Sequence, residues 1–348
     1  MISKIIDEDL IQKTNSLLQK CDNIVLITHE YPDGDGLGSA LAMYDYLSLE
    51  GKQVSVLLPN EIPSFLQWMP GADSVIVYEQ DPETARSLLG QAEVIIFLDL
   101  NSMERVGAMA SFISQLTVHT VLIDHHNLRE KPIAHVEIQL PQIASTCELV
   151  FRYICRVGAF EKLSKDCAVC IYTGMMTDTG AFTYNSQSNE MYLIINQLIV
   201  KGIDKDEIYK KVYGNYTENR MRLMGYALYE KMEVLPVYQT AIITLSCEEL
   251  DRFGHQAGDT EGLVNQPLNI GNVRFSVFLR EEEQNEIKIS LRSEGDLSVS
   301  KIAADLFQGG GHFNASGATY RGSMQEALRI IKEALPNYLG TPEDEEDN

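Results

Sequence analysis

The segment IVLITHEYPDGDGLGS, residues 24–39, constrains the fold more than any other part of the chain. Its first four residues form an apolar run that predicts a buried strand, and the Asp-Gly-Asp-Gly run further on predicts a tight turn. The apolar spacing of residues 37–47 then predicts a helix that ends near Gly51. A strand, loop and helix in this order is the unit of an open α/β sheet, in which ligands bind beyond the carboxyl ends of the strands. The loop at that end carries three potential metal ligands, His29, Asp33 and Asp35.

The same loop also has a purely structural interpretation. Asp33 and Asp35 could bond their own backbone in a turn, with His29 at the end of a strand. The three interleaved glycines favour a ligand site, because a missing side chain lets backbone and ligand approach closely. No Gly-Lys-Ser or Gly-Lys-Thr follows, which argues against a phosphate-binding P-loop. The loop alone leaves the structural and the functional interpretation open.

Length and charge narrow the class of protein. The 348 residues suffice for about two domains, and a formal net charge of −22 disfavours a protein that binds long nucleic acid through its phosphates. The acidic end, residues 341–348, is predicted to be a solvated tail. No apolar run is as long as a membrane span, and the N-terminus lacks the apolar core of a signal peptide. We therefore expect a cytoplasmic protein with no membrane partner.

The six scattered cysteines are predicted to be reduced thiols. Cys167 and Cys170 form a CxxC pair inside an apolar, helix-like stretch, where positions three apart share one face. No second pair completes a zinc site, so core packing is the favoured interpretation.

The order of predicted elements indicates an α/β fold. Strands are predicted at 24–27, 53–58, 93–98 and 120–123, and helices at 8–20, 143–157 and 164–176. Such alternation predicts a mainly parallel sheet covered by helices on both faces. Residues 189–232 are predicted to be helical, with no clear strand. A smaller α/β region follows, with strands predicted at 237–245, 273–280 and 286–292 and helices at 298–307 and 323–335.

These elements predict four parts of the chain. They are an N-terminal domain over 1–195, a helical connector over 196–235, a smaller α/β domain over 236–340 that faces the first across a cleft, and the acidic tail over 341–348.

Polar residues gather at the carboxyl ends of the predicted strands. One strand ends at Asp99, the next ends at Asp124-His125-His126, and a helix leads into Asp178. With the first loop they supply carboxylate and imidazole ligands without thiolates, which suit manganese or magnesium better than zinc. Four carboxylates and two imidazoles match a pair of ions about 3.5 to 4 Å apart that polarises a phosphoryl group and activates a nucleophile. Each residue alone could be a turn former or a packed histidine, but their convergence is hard to obtain by chance.

Five motifs spread over nearly the whole chain resemble those of the DHH phosphoesterases. They are HEYPDGDGLGS (29–39), FLDLNSMERVG (97–107), IDHHN (123–127), TDTGAF (177–182) and GGGHFNASGAT (309–319). The last resembles the DHH-associated C-terminal domain of one branch, the bacterial bifunctional oligoribonucleases and 3′-phosphoadenosine 5′-phosphate (pAp) phosphatases. The resemblance implies hydrolysis of short RNA to mononucleotides and of pAp to AMP, with two divalent ions, manganese or magnesium. The resemblance also implies a homodimer, which nothing else in the sequence indicates.

The resemblance also assigns roles to the gathered residues. The implied metal ligands are His29, Asp33, Asp35, Asp99, His125 and Asp178, with Asp99 as the bridge between the two ions. His126 would face the scissile phosphate, Asp124 would orient a neighbouring histidine, and Arg105 would contact the substrate or support the structure. Gly36 stands where the family often has alanine, which leaves every ligand intact.

The glycine-rich end is predicted to bind another part of the substrate. Gly309, Gly310 and Gly311 leave backbone amides unobstructed for phosphate oxygens, and His312 adds a donor; a close packing turn is the alternative. Arg292 could add a bidentate phosphate contact. The resemblance places these residues on the far side of the cleft, one nucleotide from the cut. Because this second site would hold the substrate at a fixed distance from the cut, it favours mono- to oligonucleotides over long chains.

Other functions would use the same metal ions. They include a phosphodiesterase for linear or cyclic dinucleotides and an exopolyphosphatase or pyrophosphatase. The glycine-rich end favours nucleotides over pyrophosphate but does not rank dinucleotides against pAp. The alternative without catalysis is a nucleotide-sensing module. The complete ligand set argues against it, because a sensor has no need of Asp99 or His125.

Overall fold

The computed structural model describes residues 2–127, 131–256, 258–283 and 285–340. The chain divides into two compact units, with the boundary in the sequence between Asn215 and Tyr216. The predicted connector, residues 196–235, is shared between the two units, and the predicted acidic tail, residues 341–348, lies outside the described residues. Within the described residues, no helix is both long and apolar enough to cross a membrane.

The first unit is built from one sheet and the helices that cover it. Its strands are β1 (Asn23–Ile27), β2 (Gln53–Leu58), β3 (Ile76–Val77), β4 (Val94–Leu98), β5 (His119–Asp124) and β6 (Val136–Gln139). Its helices are α1 (Glu8–Lys20), α2 (Gly34–Leu49), α3 (Pro82–Gln91), α4 (Ala110–Ile113), α5 (Thr146–Arg156), α6 (Lys165–Asp178), α7 (Asn189–Val200) and α8 (Lys205–Tyr213).

All neighbouring strands of the first sheet run parallel, in the order β3-β2-β1-β4-β5-β6. Ile24 of β1 pairs with Val54 on one side and Val94 on the other. Parallel neighbours need crossover connections, and helices supply several of these between the strands. The predicted parallel sheet is therefore confirmed.

Both faces of this sheet are buried, as alternate residues of β4 demonstrate. Val94, Ile96 and Leu98 pack in the core that contains α1, α2, α5 and α6. Ile95 and Phe97 point the other way and pack with α3 and α4. The whole strand is buried, which explains its continuous apolar sequence. The prediction that helices cover both faces is confirmed.

Helices α2 and α6 approach each other closely through glycines. A Cβ at Gly38 would lie 2.6 Å from the carbonyl oxygen of Cys170, and a Cβ at Gly34 would collide with Thr177. On α6, a Cβ at Gly174 would lie 2.9 Å from Asp35 Oδ1. The absence of these side chains allows the two backbones to come together. The first turn of α2 is thereby held against the last turns of α6.

The second unit contains a mixed sheet. Its strands are β7 (Met232–Leu235), β8 (Thr240–Leu245), β9 (Phe275–Glu283), β10 (Glu286–Ser293), β11 (Gly310–His312) and β12 (Ala315–Arg321), in the order β11-β12-β10-β9-β8-β7. Its helices are α9 (Glu218–Tyr226), α10 (Cys247–Arg252), α11 (Val299–Phe307) and α12 (Met324–Leu339). Alternate residues of β10 are buried, and they pack with α11 and α12 in one core.

Several elements differ from the sequence predictions. Residues 232–235 were expected to be helical or connecting, but they form β7, which pairs antiparallel with β8. The strand predicted over 237–245 begins only at Thr240, because Pro236 opens a short 3₁₀ turn and Gln239 has a left-handed φ of +46°. The strands β3, β6, β11 and β12 and the helices α3, α4 and α10 were not predicted. All of these strands except β12 have at most four residues. Such short strands depend on pairing with neighbours, which local sequence does not reveal.

The six cysteines are all free thiols. Cys167 and Cys170 are buried in α6, and burial raises the pKa of each thiol above its usual value. Neither belongs to a group that could hold a metal ion within the described residues. The prediction that this pair packs in the core is confirmed.

We predict that Gly38→Ala destabilises the protein by about 1 to 3 kcal/mol, since the new methyl group meets a backbone carbonyl that no rotamer change can move. Urea unfolding measures the loss. The matched control is Gly90→Ala in α3, where a Cβ would meet no atom within 4 Å. That change should be neutral or slightly stabilising, because alanine favours a helix. Equal stability of Gly38→Ala and wild type would contradict the close helix packing.

Candidate metal centre

Three adjacent strands of the first sheet deliver polar residues to one edge. His29 follows β1, Asp99 follows β4 directly, and β5 ends at Asp124 with His125 next in sequence. Because β1, β4 and β5 are parallel neighbours, these carboxyl ends lie side by side. Asp99 has a φ of +56°, an uncommon conformation for a residue with a side chain, and it turns the chain out of the strand.

Asp33 and Asp35 lie at the start of α2 and have different surroundings. Asp33 caps the helix, and its Oδ1 accepts hydrogen bonds from the backbone N–H groups of Asp35 at 3.0 Å and Gly36 at 2.9 Å. Asp35 is completely buried against the first turn of α5. Its oxygens accept hydrogen bonds from the backbone N–H groups of Thr146 at 2.6 Å and Cys147 at 2.9 Å. A helix N-terminus stabilises a negative charge in this position.

The Asp99 carboxylate lies between two histidines and faces each with a different oxygen. Oδ2 is 3.5 Å from Nε2 of His29, and Oδ1 is 3.5 Å from Nε2 of His125. Asp33 Oδ1 lies 3.8 Å from the same nitrogen of His29. Thr146 holds Asp99 from the side, as its hydroxyl donates to Oδ1 at 3.0 Å. The arrangement is that of a carboxylate shared by two groups of ligands.

The group around His125 contains two further carboxylates. Asp178 Oδ2 is 3.4 Å and Asp35 Oδ2 is 3.8 Å from His125 Nε2. Asp178 is the last residue of α6, so the close packing of α6 on α2 brings it here. The predicted helix ended at residue 176, with Asp178 in the loop beyond it; this prediction is wrong, because the helix extends two residues further.

The spacing of these atoms fits two divalent cations. Two atoms that bind one ion at about 2.1 Å lie about 3 Å apart at right angles and about 4.2 Å apart on opposite sides. The distances from the Nε2 atoms of His29 and His125 to the carboxylate oxygens around them, 3.4 to 3.8 Å, lie in this range. Carboxylate oxygens and imidazole nitrogens without thiolates are ligands that suit manganese and magnesium. The two groups are His29, Asp33 and Asp99 on one side, and Asp35, Asp99 and His125, with Asp178 beside them, on the other.

Both ligand histidines present Nε2 to the centre because Nδ1 is engaged elsewhere. His29 Nδ1 lies 2.7 Å from the backbone oxygen of Glu30, and His125 Nδ1 lies 3.2 Å from that of Ile143. A carbonyl only accepts, so each Nδ1 carries the hydrogen. In the neutral form of each ring Nε2 then has its lone pair, as metal binding requires.

The centre has a surplus of negative charge. Burial raises the pKa of Asp35 well above its usual value, and the charges of Asp99 and Asp178 raise it further. Burial and the charge of Arg105 act to lower the pKa of His29, yet hydrogen bonding to Asp33 and Asp99 raises it to about 9. Both shifts arise from carboxylates crowded in a space with little water. Bound cations would neutralise this charge.

His126 and Asp124 form a pair next to the ligands. His126 Nδ1 donates to Asp124 Oδ1 at 2.8 Å and lies 3.4 Å from Asp99 Oδ1. Gln139 of β6 donates from Nε2 to the other Asp124 oxygen at 2.8 Å. The buried Asp124 thus fixes the His126 ring beside the centre. The catalytic roles assigned to His126 and Asp124 stay predictions.

Arg105 lies close to the centre through its backbone and its charge. Its carbonyl oxygen accepts a hydrogen bond from the backbone N–H of Glu30 at 2.7 Å, next to His29. Its charge is among those that act on the pKa of His29. Its predicted contact with substrate stays a prediction.

Sequence reasoning missed Thr146, Cys147 and Gln139. Thr146 and Cys147 act mainly through backbone N–H groups, which any residue can supply. The one available signal was Ser145-Thr146 before an apolar helix, a typical helix start. Gln139 sits on the short strand β6, which was itself not predicted.

The hydroxyl of Thr28 is buried beside the centre. It has no hydrogen-bond partner within the described part of the chain. A Cβ at Gly36 would lie 2.5 Å from Thr28 Oγ1 and 3.2 Å from His29 Nε2. Gly36 therefore makes room for this hydroxyl, and an alanine here would require Thr28 to rotate.

In the second unit, Arg292 and His312 occupy one row of the sheet. Arg292 of β10 pairs with Ala315 of β12, which in turn pairs with His312 of β11. Side chains directly opposite in paired strands point to the same face. Arg292 and His312 therefore share a face of this sheet.

The three glycines before His312 have different surroundings. A Cβ at Gly309 would collide with the backbone of β12, and one at Gly311 would lie 2.6 Å from the carbonyl oxygen of Ala315. A Cβ at Gly310 would meet nothing within 4 Å. Close packing against β12 thus explains Gly309 and Gly311. Gly310 is the glycine whose surroundings leave space for a ligand.

Comparisons with known proteins agree with this fold. Residues 23–175 match the model of the DHH family, N-terminal domain, and residues 239–337 match the DHHA1 domain. The crystal structure of an exopolyphosphatase-related protein from Bacteroides fragilis is 46% identical, with a TM-score of 0.91 over 97% of this chain and 98% of that chain.

Two curated relatives bear functional names. The bifunctional oligoribonuclease and PAP phosphatase NrnA of Thermus thermophilus is 28% identical over 317 residues, 91% of this chain and 90% of that protein. The cyclic-di-AMP phosphodiesterase GdpP of Bacillus subtilis is 24% identical over 93% of this chain and 49% of that protein.

We predict that Mn²⁺ raises the melting temperature of the wild-type protein and that Asp99→Asn removes most of this effect. An ion at 100 times its dissociation constant stabilises a folded protein by about 2.7 kcal/mol. Differential scanning fluorimetry with and without EDTA measures the shift. Asp45→Asn is the control, because Asp45 is a partly buried carboxylate bonded to Ser164, outside both ligand groups. A full Mn²⁺ shift in Asp99→Asn would contradict the shared carboxylate.

Proposed function

The chain belongs to the DHH family of phosphoesterases, and we propose that it hydrolyses short oligoribonucleotides to mononucleotides and pAp to AMP with two divalent ions. One observation carries the proposal: each oxygen of the buried Asp99 carboxylate faces a different imidazole at 3.5 Å. Two ions that share a carboxylate are the arrangement that phosphoryl hydrolysis uses. Manganese is the proposed ion, with magnesium as the alternative.

The substrate class rests on the relatives. The similarity to an oligoribonuclease and PAP phosphatase spans nine-tenths of both chains. The charge of −22 also favours a short substrate, because a long polyanion would be repelled over a large area. A short nucleotide needs only a local site.

The bound ions would polarise the phosphoryl group, activate the nucleophile and stabilise the charge that develops. The chain's own contribution is to hold the ligands in place. Amides of α5 fix Asp35, the Thr146 hydroxyl fixes Asp99, and two backbone carbonyls fix the histidine rings. Such fixed ligands avoid reorganisation during the reaction.

His126 is the proposed catalytic residue of the chain. Asp124 keeps its Nδ1 protonated and turns Nε2 away from that carboxylate. The Nε2 edge of the ring would contact the phosphoryl oxygens or the leaving group. We also propose that Arg105, Arg292, His312 and Gly310 contribute to substrate binding. Gly309 and Gly311 would support this by letting β11 pack on β12.

Two alternative substrates are each supported by a related protein. Similarity to GdpP, named a cyclic-di-AMP phosphodiesterase, supports a dinucleotide substrate. The related structure from Bacteroides fragilis is named exopolyphosphatase-related, which supports polyphosphate. A nucleotide-sensing module is the alternative without catalysis, and a complete ligand set disfavours it. Turnover of pAp, a dinucleotide, cyclic-di-AMP and polyphosphate by one preparation ranks the three enzymatic functions.

We predict that Asp99→Asn abolishes Mn²⁺-dependent hydrolysis of a labelled RNA dinucleotide, because the amide cannot supply two anionic oxygens. EDTA should abolish wild-type activity in the same way, and Mn²⁺ should restore it. Asp45→Asn is again the control and should retain turnover. Near-normal release of mononucleotides by Asp99→Asn would overturn the proposed centre.

We predict that His312→Ala raises KM for short RNA with a smaller effect on kcat, because the residue would contribute to substrate binding and is not one of the proposed metal ligands. Steady-state kinetics on the dinucleotide separate the two constants. Arg321→Ala is the control: it removes a charge at the opposite end of β12, where Arg321 pairs with Glu286. Unchanged saturation curves for His312→Ala would exclude a binding role.

A further inference from the structure

Solvent reaches the metal centre at one edge. The side chains of His29, Asp35, Asp99 and His125 are at most 4% exposed. By contrast, the side chain of Asp33 is 51% exposed and that of Asp178 is 24% exposed. A substrate can therefore reach the candidate centre at the loop that leads to Asp33 and the loop that follows Asp178.

Tyr31 lies on the first of these loops, between His29 and Asp33. It has a φ of +54°, and 67% of its surface is exposed. A bulky residue rarely adopts a left-handed φ. The residue also precedes Pro32, a position that normally favours extended backbone. Two independent rules are thus broken at one residue.

The surrounding chain holds Tyr31 in this conformation. Its backbone N–H donates to Asn60 Oδ1 at 2.9 Å, and Asn60 in turn donates to Glu79 Oε1 at 2.6 Å. The next residue, Pro32, is buried, whereas Tyr31 is exposed. A ring so exposed adds little to core packing. Glycine or asparagine would suit this backbone better.

The second loop has the same character. Ala181, Phe182 and Asn185 have φ values of +58°, +65° and +47°. The Phe182 ring packs against Tyr172, with centroids 5.5 Å apart, whereas Tyr184 is 45% exposed. Backbone strain of this kind is typical of ligand-binding positions. Both loops at the open edge are strained, and each presents an exposed tyrosine.

We propose that Tyr31 is a stacking platform for a nucleobase of the substrate whose phosphate lies at the metal centre. This inference rests on the proposed function and adds a base-binding subsite to it. An aromatic ring beside the centre would not bind a phosphate, but it could stack on the flat face of a base that adjoins this phosphate. Every base has such a face, so stacking gives affinity with little preference among sequences.

The test compares three dinucleotides in the full-length, Mn²⁺-loaded protein: one with both bases and two in which either the 5′ or the 3′ residue is abasic. Tyr31→Phe keeps the ring, and Tyr31→Asn removes it while tolerating the left-handed φ. Wild type and Tyr31→Phe should have kcat/KM about tenfold or more higher for the complete dinucleotide than for one of the abasic compounds. Tyr31→Asn should lose this difference and cleave that abasic compound as wild type does. Its melting temperature should equal or exceed that of wild type.

Other outcomes would overturn the inference. If Tyr31→Asn keeps the wild-type ratio, the ring does not contact a base. If Tyr31→Asn cleaves all three compounds equally poorly, Tyr31 acts by positioning the ligand loop. If wild type cleaves none of the dinucleotides, the proposed function itself fails, a result that is distinguishable from the other two.

Discussion

Repulsion between buried carboxylates is the constraint on which the first unit depends. Asp35 and Asp99 are 0% and 2% exposed, and an uncompensated buried charge costs several kcal/mol. The protein surrounds Asp35 with amides of a helix N-terminus and Asp99 with imidazoles and a hydroxyl. The raised pKa of Asp35 indicates that negative charge remains in excess. Bound cations would offset this excess charge.

The fold and the centre are consequently hard to separate. Parallel pairing of β1, β4 and β5 aligns the ends of three strands, which brings His29 and His125 to opposite oxygens of Asp99. The close packing of α2 on α6 at their glycines then brings one carboxylate oxygen each of Asp35 and Asp178 within 3.8 Å of His125 Nε2. A substitution that disturbs the packing of α2 on α6 would therefore shift a candidate ligand, even where the substituted residue lies outside the metal centre.

Much of this could be predicted from sequence, and the reasons differ from residue to residue. His29, Asp99 and His125 follow apolar runs, and any parallel sheet brings such ends together. Asp178 was predicted as a candidate but placed in a loop, because helical spacing does not reveal where a helix ends. The hydrogen bonds that Thr146 and Cys147 donate to Asp35 come from backbone N–H groups, which carry no sequence signal. Strands such as β7 and β12 depend on partners distant in sequence, so local patterns did not reveal them.

The span of the candidate ligands has a consequence for how the protein is made. They extend from His29 to Asp178, and α6 supplies the last of them only after all strands of the first sheet have been synthesised. Nascent chains fold as whole domains from the N-terminus. A ribosome-bound fragment that lacks α6 would thus lack Asp178, one of the candidate ligands near the buried Asp35 and Asp99. The proposed ions could then find all their ligands only after the first unit has almost fully emerged.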